Sequence, residues 1–216
     1  MRAVIFDFDG TLVDSFEAVM AVVHQTTKHK PLADINYVTT LRDSGMGLRK
    51  AVVGLGIPIW KWPWFLRDGQ RLFKKEIERI PLFTGVEDVL KSLHEQHFEL
   101  YIISNNSREN INRFLSEKGL LIYFKNIYGT VASIGLPSKE HVIRKVLKEN
   151  RLSSSDVIYV GDEVSDIEAA HKMHMPVIAV TWGYNSERLL FDHNPTVIVR
   201  SPAQINKVIT EWANAL

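Results

Sequence analysis

The chain has 216 residues, of which 45% are hydrophobic and 24% charged, with a formal net charge of +1; this suits one soluble domain plus an insertion. So even a charge balance argues against the broad basic surface with which proteins hold nucleic acid or anionic membranes, and no partner of either kind is expected. The absence of cysteine excludes disulfides, Fe–S clusters, cysteine–zinc sites and cysteine nucleophiles, and it fits a reducing cytoplasm.

The first element is Arg2-Ala3-Val4-Ile5-Phe6, too short for a helix and rich in strand formers, as in a strand buried on both faces. It stops at Asp7-Phe8-Asp9-Gly10-Thr11, where the aspartates interrupt any signal-peptide-like run and Gly10 predicts a tight turn. From Asp14 to about Pro81 no strand pattern appears, whereas 16–28 and 64–80 read as helices. A helical insertion over 15–81 accounts for this, leaving a core domain of 1–14 and 82–216 with hinges at Asp14-Ser15 and Pro81-Leu82. Within the insertion, Trp60, Trp62 and Trp64 surround Pro63, a cluster suited to packing in the insertion or against the core, or to a membrane interface.

Beyond the insertion, strand patterns at 98–104, 126–131, 157–160, 177–180 and 196–199 alternate with helical patterns at 86–97, 108–118, 139–149, 164–173 and 202–213. In the first helix Val86, Val89, Leu90 and Leu93 form one apolar stripe. The alternation predicts an α/β fold: a doubly wound, Rossmann-like parallel sheet with right-handed connections, carrying a small all-helical cap after the first strand. No stretch approaches the ~18 apolar residues of a membrane-spanning helix.

Open parallel sheets bind ligands beyond the carboxyl ends of their strands. Asp7 and Asp9 follow the first strand, Ser104-Asn105-Asn106 the second, and Lys139 opens the helix after the third. The fourth runs into Gly161-Asp162-Glu163-Val164-Ser165-Asp166. These segments bring carboxylates, a hydroxyl and an amine to one edge. Each has a plainer reading: Asp-Gly is a common turn, Ser104 a strand-end hydroxyl or cap, Asp162 a helix N-cap and Asp166 an exposed helical carboxylate. Lys139 alone is a surface lysine, although a cation is electrostatically disfavoured at a helix N-terminus. His24, His29, His141 and His171 show no metal-ligand spacing.

The run Asp7-Phe8-Asp9-Gly10-Thr11-Leu12-Val13-Asp14-Ser15 resembles the DxDGT signature of the haloacid dehalogenase-like hydrolase superfamily. Ser104, Lys139 and Gly161-Asp162…Asp166 resemble its second, third and fourth motifs in order and spacing, and the nearest branch is the phosphoglycolate phosphatase-like group. The resemblance implies a Mg2+-dependent phosphatase of a small phosphorylated metabolite. Asp7 would be the nucleophile, Asp9 the acid and base, and Lys139 the group that holds the phosphoryl and offsets Asp7. Ser104 and the Asn105 backbone N–H would donate to phosphoryl oxygens, with Gly10 and Thr11 also lining the phosphate site. Arg49, near the insertion loop Ser44-Gly45-Met46-Gly47, resembles a substrate-contacting position, though a solvated face reads as well. The implied metal ligands are Asp7, the backbone carbonyl of Asp9 and Asp162, with Glu163 and Asp166 contacting metal-bound water or orienting Lys139.

Elementary chemistry agrees with that pattern. Phosphate monoesters hydrolyse slowly, so a catalyst must position a nucleophile and neutralise crowded phosphoryl oxygens. A carboxylate nucleophile divides the reaction into two easier steps, and its charge requires nearby cations. Magnesium, with its preference for oxygen ligands, suits these carboxylates. In this superfamily a carboxylate at Asp9 marks phosphatases and phosphomutases, so hydrolysis is the first expectation; a phosphosugar mutase or a non-enzymatic phospho-ligand binding module are the alternatives. Closure of the insertion would gate the site. His174 stands where the pattern usually has a helix-closing glycine, and histidine accepts the left-handed conformation at small cost.

Overall fold

The protein is seen in a computed structural model that describes residues 2–18, 21, 71, 74, 77–130 and 138–214. Arg49, the Trp60, Trp62 and Trp64 cluster and most of the insertion predicted over 15–81 lie outside the described residues.

Strand β1 (Ala3–Phe6) is followed, past the predicted insertion, by α1 (Val86–Glu95), β2 (Glu99–Ser107), α2 (Arg108–Glu117) and β3 (Phe124–Thr130). Then come α3 (Lys139–Asn150), β4 (Val157–Gly161), α4 (Val164–Lys172), β5 (Val177–Val180), α5 (Glu187–Asp192), β6 (Val197–Val199) and α6 (Pro202–Asn214). The strands form one six-stranded sheet in the order β3-β2-β1-β4-β5-β6, with every neighbouring pair parallel. From β1 the chain builds outward through β2 and β3 on one side, then returns to build β4, β5 and β6 on the other. The order therefore reverses between β1 and β4, where a doubly wound sheet opens a crevice. Phe6 is level with Ile102 on β2 and Val160 on β4, so the residues after these strands emerge together.

Alternation of side chains along each strand sorts the core into two layers. Val4, Phe6, Ile102, Ile158, Val160 and Ile178 pack with the apolar faces of α1, α2 and α6. Ala3, Ile5, Tyr101, Tyr159, Val177 and Ala179 pack with α3 and α4. The α1 stripe is buried through Val86, Val89, Leu90 and Leu93. Among the described residues no helix is long and apolar enough to cross a membrane.

Several boundaries differ from the sequence expectation. Helix α1 stops at Glu95, before the left-handed His97 with φ 64°. Strand β2 continues to Ser107 because, after a register irregularity, Ser107 pairs with Thr130 of β3. Helix α5 was not expected; at six residues it is too short for helical periodicity to register. His174 does take the left-handed conformation, with φ 52°. The segments flanking the predicted insertion run side by side: Asp14 N–H donates to Pro81 O at 2.9 Å and Phe83 N–H to Leu12 O at 3.1 Å.

Candidate active site

Asp7 follows β1 directly, and its N–H donates to Val160 O at 2.9 Å, which ties the end of β1 to β4. Asp162 leaves β4 fully buried. Thr11 Oγ1 donates to its Oδ1 at 2.7 Å, and Tyr184 N–H donates to its Oδ2 at 2.7 Å. Gly10 and Gly183 both lie against this carboxylate so closely that a Cβ on either would overlap it. Gly10 also has φ 83°, a conformation that L side chains rarely adopt.

Asp166, in the first turn of α4, is fully buried. Its Oδ2 accepts Glu163 N–H at 3.0 Å, so the start of α4 is shaped by Glu163 and Asp166, leaving Asp162 free of a capping task. Asn185 Oδ1 accepts the next N–H, that of Val164, at 2.8 Å. One oxygen from each of Asp7, Asp162 and Asp166 lies within 4.8 Å of the others.

Lys139 begins α3, whose preceding Ser138 accepts His141 N–H at 3.3 Å. Its side chain, 8% exposed, runs into the site: Nζ is 2.5 Å from Asp166 Oδ1, 3.0 Å from Asp7 Oδ1 and 3.9 Å from Glu163 Oε2. Burial alone would depress the Lys139 pKa, yet Asp166 and Asp7 outweigh it and hold the ammonium well above its usual range. Burial pushes the Asp7 carboxyl well up; Lys139 opposes this, while Asp166, Asp162 and Glu163 add to it. Asp162 is pushed up to about 8, by burial first and then by Glu163 and Asp166. Asp7, Glu163 and Asp166 thus share one ammonium, with an Asp162 oxygen within 4.8 Å of Asp7 and Asp166. Buried oxygen donors with surplus negative charge fit a hard divalent cation, which would favour their ionised forms.

Asp9 sits across from this group. Its Oδ2 accepts Asn106 Nδ2 at 3.2 Å and, more loosely, Ser104 Oγ at 3.4 Å. Ser104 Oγ itself accepts Asn106 N–H at 2.9 Å. Asp9 Oδ1 is buried with no hydrogen-bond partner. Burial raises the Asp9 pKa, against hydrogen bonding from Asn106 and Ser104.

The fold therefore brings Asp7, Asp9, Ser104, Lys139, Asp162, Glu163 and Asp166 to one edge. Thr11 lies at the same edge, its hydroxyl given to Asp162 Oδ1. Gly10 forms the turn beneath the same carboxylate. Asn105 is exposed beside Ser104, and Arg49 lies outside the described residues. Sequence reasoning missed Asn106, Ser15 and the loop after β5, Trp182-Gly183-Tyr184-Asn185. The strand-end rule, applied to β5 as it was to β1, β2 and β4, points to that loop. Chemically, the edge holds a buried carboxyl, Asp7, with the Lys139 cation beside it, and a second carboxyl, Asp9, with raised proton affinity.

The family model described as haloacid dehalogenase-like hydrolase matches residues 4–180. The chain is 32% identical over 216 residues to a phosphoglycolate phosphatase from Synechococcus elongatus, covering 98% of each protein. It is 28% identical over 210 residues to a phosphoglycolate phosphatase from Pseudomonas fluorescens, covering 92% of this chain and 76% of that protein. Its fold is similar to that of a haloacid dehalogenase-like family hydrolase from Streptococcus pneumoniae, with TM-score 0.82 and 23% identity over 97% of this chain and 98% of that one.

Proposed function

The chain belongs to the haloacid dehalogenase-like hydrolases, and we propose that it is a Mg2+-dependent phosphatase that hydrolyses a small phosphate monoester through an aspartyl phosphate on Asp7. The observation that carries this reading is the meeting of Asp7, Asp162 and Asp166 oxygens within 4.8 Å, with Lys139 between Asp7 and Asp166.

A magnesium ion held by the Asp7 and Asp162 carboxylates and the Asp9 backbone carbonyl would neutralise phosphoryl oxygens and keep Asp7 anionic. Lys139 pairs with Asp7 and binds another phosphoryl oxygen, while the Ser104 hydroxyl and Asn105 N–H bind the remaining ones. An Asp7 oxygen attacks phosphorus as the bond to the ester oxygen breaks. Asp9, whose burial favours the neutral carboxyl, donates its proton to that departing oxygen. It then takes a proton from the water that attacks the acyl phosphate, releasing inorganic phosphate and restoring Asp7.

The pairing of 12–14 with 81–83 supports reading 15–81 as an inserted cap. Phosphoglycolate, in the relatives' names, is the first ester to test beside p-nitrophenyl phosphate. Phosphate release should require Mg2+, and Asp7→Asn should abolish both turnover and hydroxylamine-trappable phosphate on the protein. An active Asp7→Asn protein would overturn the nucleophile.

A further inference from the structure

On the reading of Asp9 as acid and base, we propose that Asn106 and Asn110 are its positioning residues: Asn110 fixes the side-chain amide of Asn106, and that amide holds Asp9 Oδ2. Asn110 lies on the buried face of α2 beside Ile111, Phe114 and Leu115, and it is only 3% exposed. A polar side chain in such a place is kept for its hydrogen bonds. Its Nδ2 donates to Asn106 Oδ1 at 3.2 Å, four residues earlier at the end of β2.

Main-chain chemistry sets the direction of the Asn106 amide. A backbone N–H only donates, and that of Ser107 lies 2.8 Å from Asn106 Oδ1. The oxygen of Asn106 therefore faces Ser107 and Asn110, and its NH2 group faces Asp9, with Nδ2 3.2 Å from Oδ2. Exchanging the O and N of this amide would set donor against donor at Ser107. The backbone around it is fastened as well. Asn106 N–H donates to Ser104 Oγ at 2.9 Å, and Gly129 of β3 comes so close that a Cβ there would overlap Asn106 O and Arg108 N. Ser104 Oγ also reaches Asp9 Oδ2, loosely, at 3.4 Å. A serine has one proton to give, and in the proposed mechanism that proton turns to a phosphoryl oxygen when substrate binds. The Asn106 amide keeps its donor on Asp9 through that change, so the carboxyl stays oriented toward the ester oxygen.

An acid matters most when the leaving group is poor, so the test compares kcat/KM on an alkyl phosphate and on p-nitrophenyl phosphate. Asn106→Ala should lower the alkyl value by about tenfold or more and the p-nitrophenyl value by less than about threefold. Asn110→Leu, which suits the apolar face of α2 and leaves Asp9 and Asn106 in place, should give a smaller loss with the same bias, about threefold to tenfold on the alkyl ester. Asn106→Ala carries the test by itself if Asn110→Leu does not fold. Equal losses on both esters, or no loss on either, would overturn the proposal. A wild-type protein active on neither ester would instead refute the phosphatase reading. The contacts are then judged by NMR on the unliganded protein. The Asn106 side-chain NH2 protons should exchange slowly, and their resonances should move in Asp9→Ala and in Asn110→Leu. Protons that exchange as freely as those of an exposed asparagine, or resonances unmoved in Asp9→Ala, would overturn the proposal whatever the enzyme's activity.

Discussion

Lys139 Nζ lies 2.5 Å from Asp166 Oδ1, closer than the 3.0 Å that separates it from Asp7 Oδ1. Asp166 is fully buried and also receives the Glu163 N–H, so its position is fixed by more than the lysine. It therefore acts as the anchor that aims Lys139 at Asp7. Asp166→Asn weakens that anchor, and KM for a phosphate ester should rise about tenfold or more. Lys139→Ala removes the ammonium altogether; turnover should be lost, and the metal-free protein should be destabilised by about 3–5 kcal/mol through its uncompensated carboxylates. Steady-state kinetics and chemical denaturation of the two variants measure these effects separately. An Asp166→Asn protein with unchanged KM and kcat would remove Asp166 from the aiming of Lys139.

The raised Asp162 carboxyl makes stability depend on pH. Its pKa is about 8 in the folded chain against about 3.9 in an unfolded one. The folded state then binds the proton more tightly, so this group's contribution is full below about pH 4 and is lost as pH rises to about 8. Metal-free protein should accordingly lose Tm across that interval, while Mg2+, which favours the anion, should raise Tm by more at pH 8 than at pH 5. Calorimetry in EDTA and in excess Mg2+ gives both trends. A metal-free Tm that climbs from pH 5 to pH 8 would contradict a raised Asp162 pKa.

Gly10 and Gly119 separate two costs of a side chain. Both have positive φ, 83° and 70°, but a Cβ at Gly119 meets nothing within 4 Å, whereas at Gly10 it meets the Asp162 carboxylate and the Tyr184 ring. Gly119→Ala should destabilise by about 1 kcal/mol through backbone conformation alone. Gly10→Ala should cost about 2–4 kcal/mol and weaken Mg2+ binding, because Asp162 must shift. Urea denaturation and titration calorimetry read the two effects. Equal destabilisation by both variants would deny the close approach to Asp162.

His174 follows α4 with φ 52° and an exposed side chain. Glycine at this position relieves the left-handed strain, partly offset by the freer unfolded chain. His174→Gly should stabilise by about 0.5–1 kcal/mol, or roughly 1–4 °C in Tm, with kcat/KM unchanged. A fall in Tm would show that the imidazole contributes more than its backbone costs.

Much of the core was legible in sequence for a simple reason. In a parallel sheet covered on both faces, every strand is a short continuous apolar run and each helix carries one apolar stripe, as in Val4–Phe6 and in Val86, Val89, Leu90 and Leu93. The motif residues Asp7, Asp9, Ser104, Lys139 and Asp162 were legible because each follows or opens such an element. Residue types and order along the chain determine these features locally. What they do not determine is which atoms meet across the switch point between β1 and β4. Only the tertiary structure turns Thr11 toward Asp162, draws Lys139 against Asp166, and lays the 182–185 loop over the turn after β1. These contacts join residues distant in sequence, from Lys139 and Asp166 to Thr11 and Trp182. Their partners are set by sheet order and strand register, which no local pattern encodes.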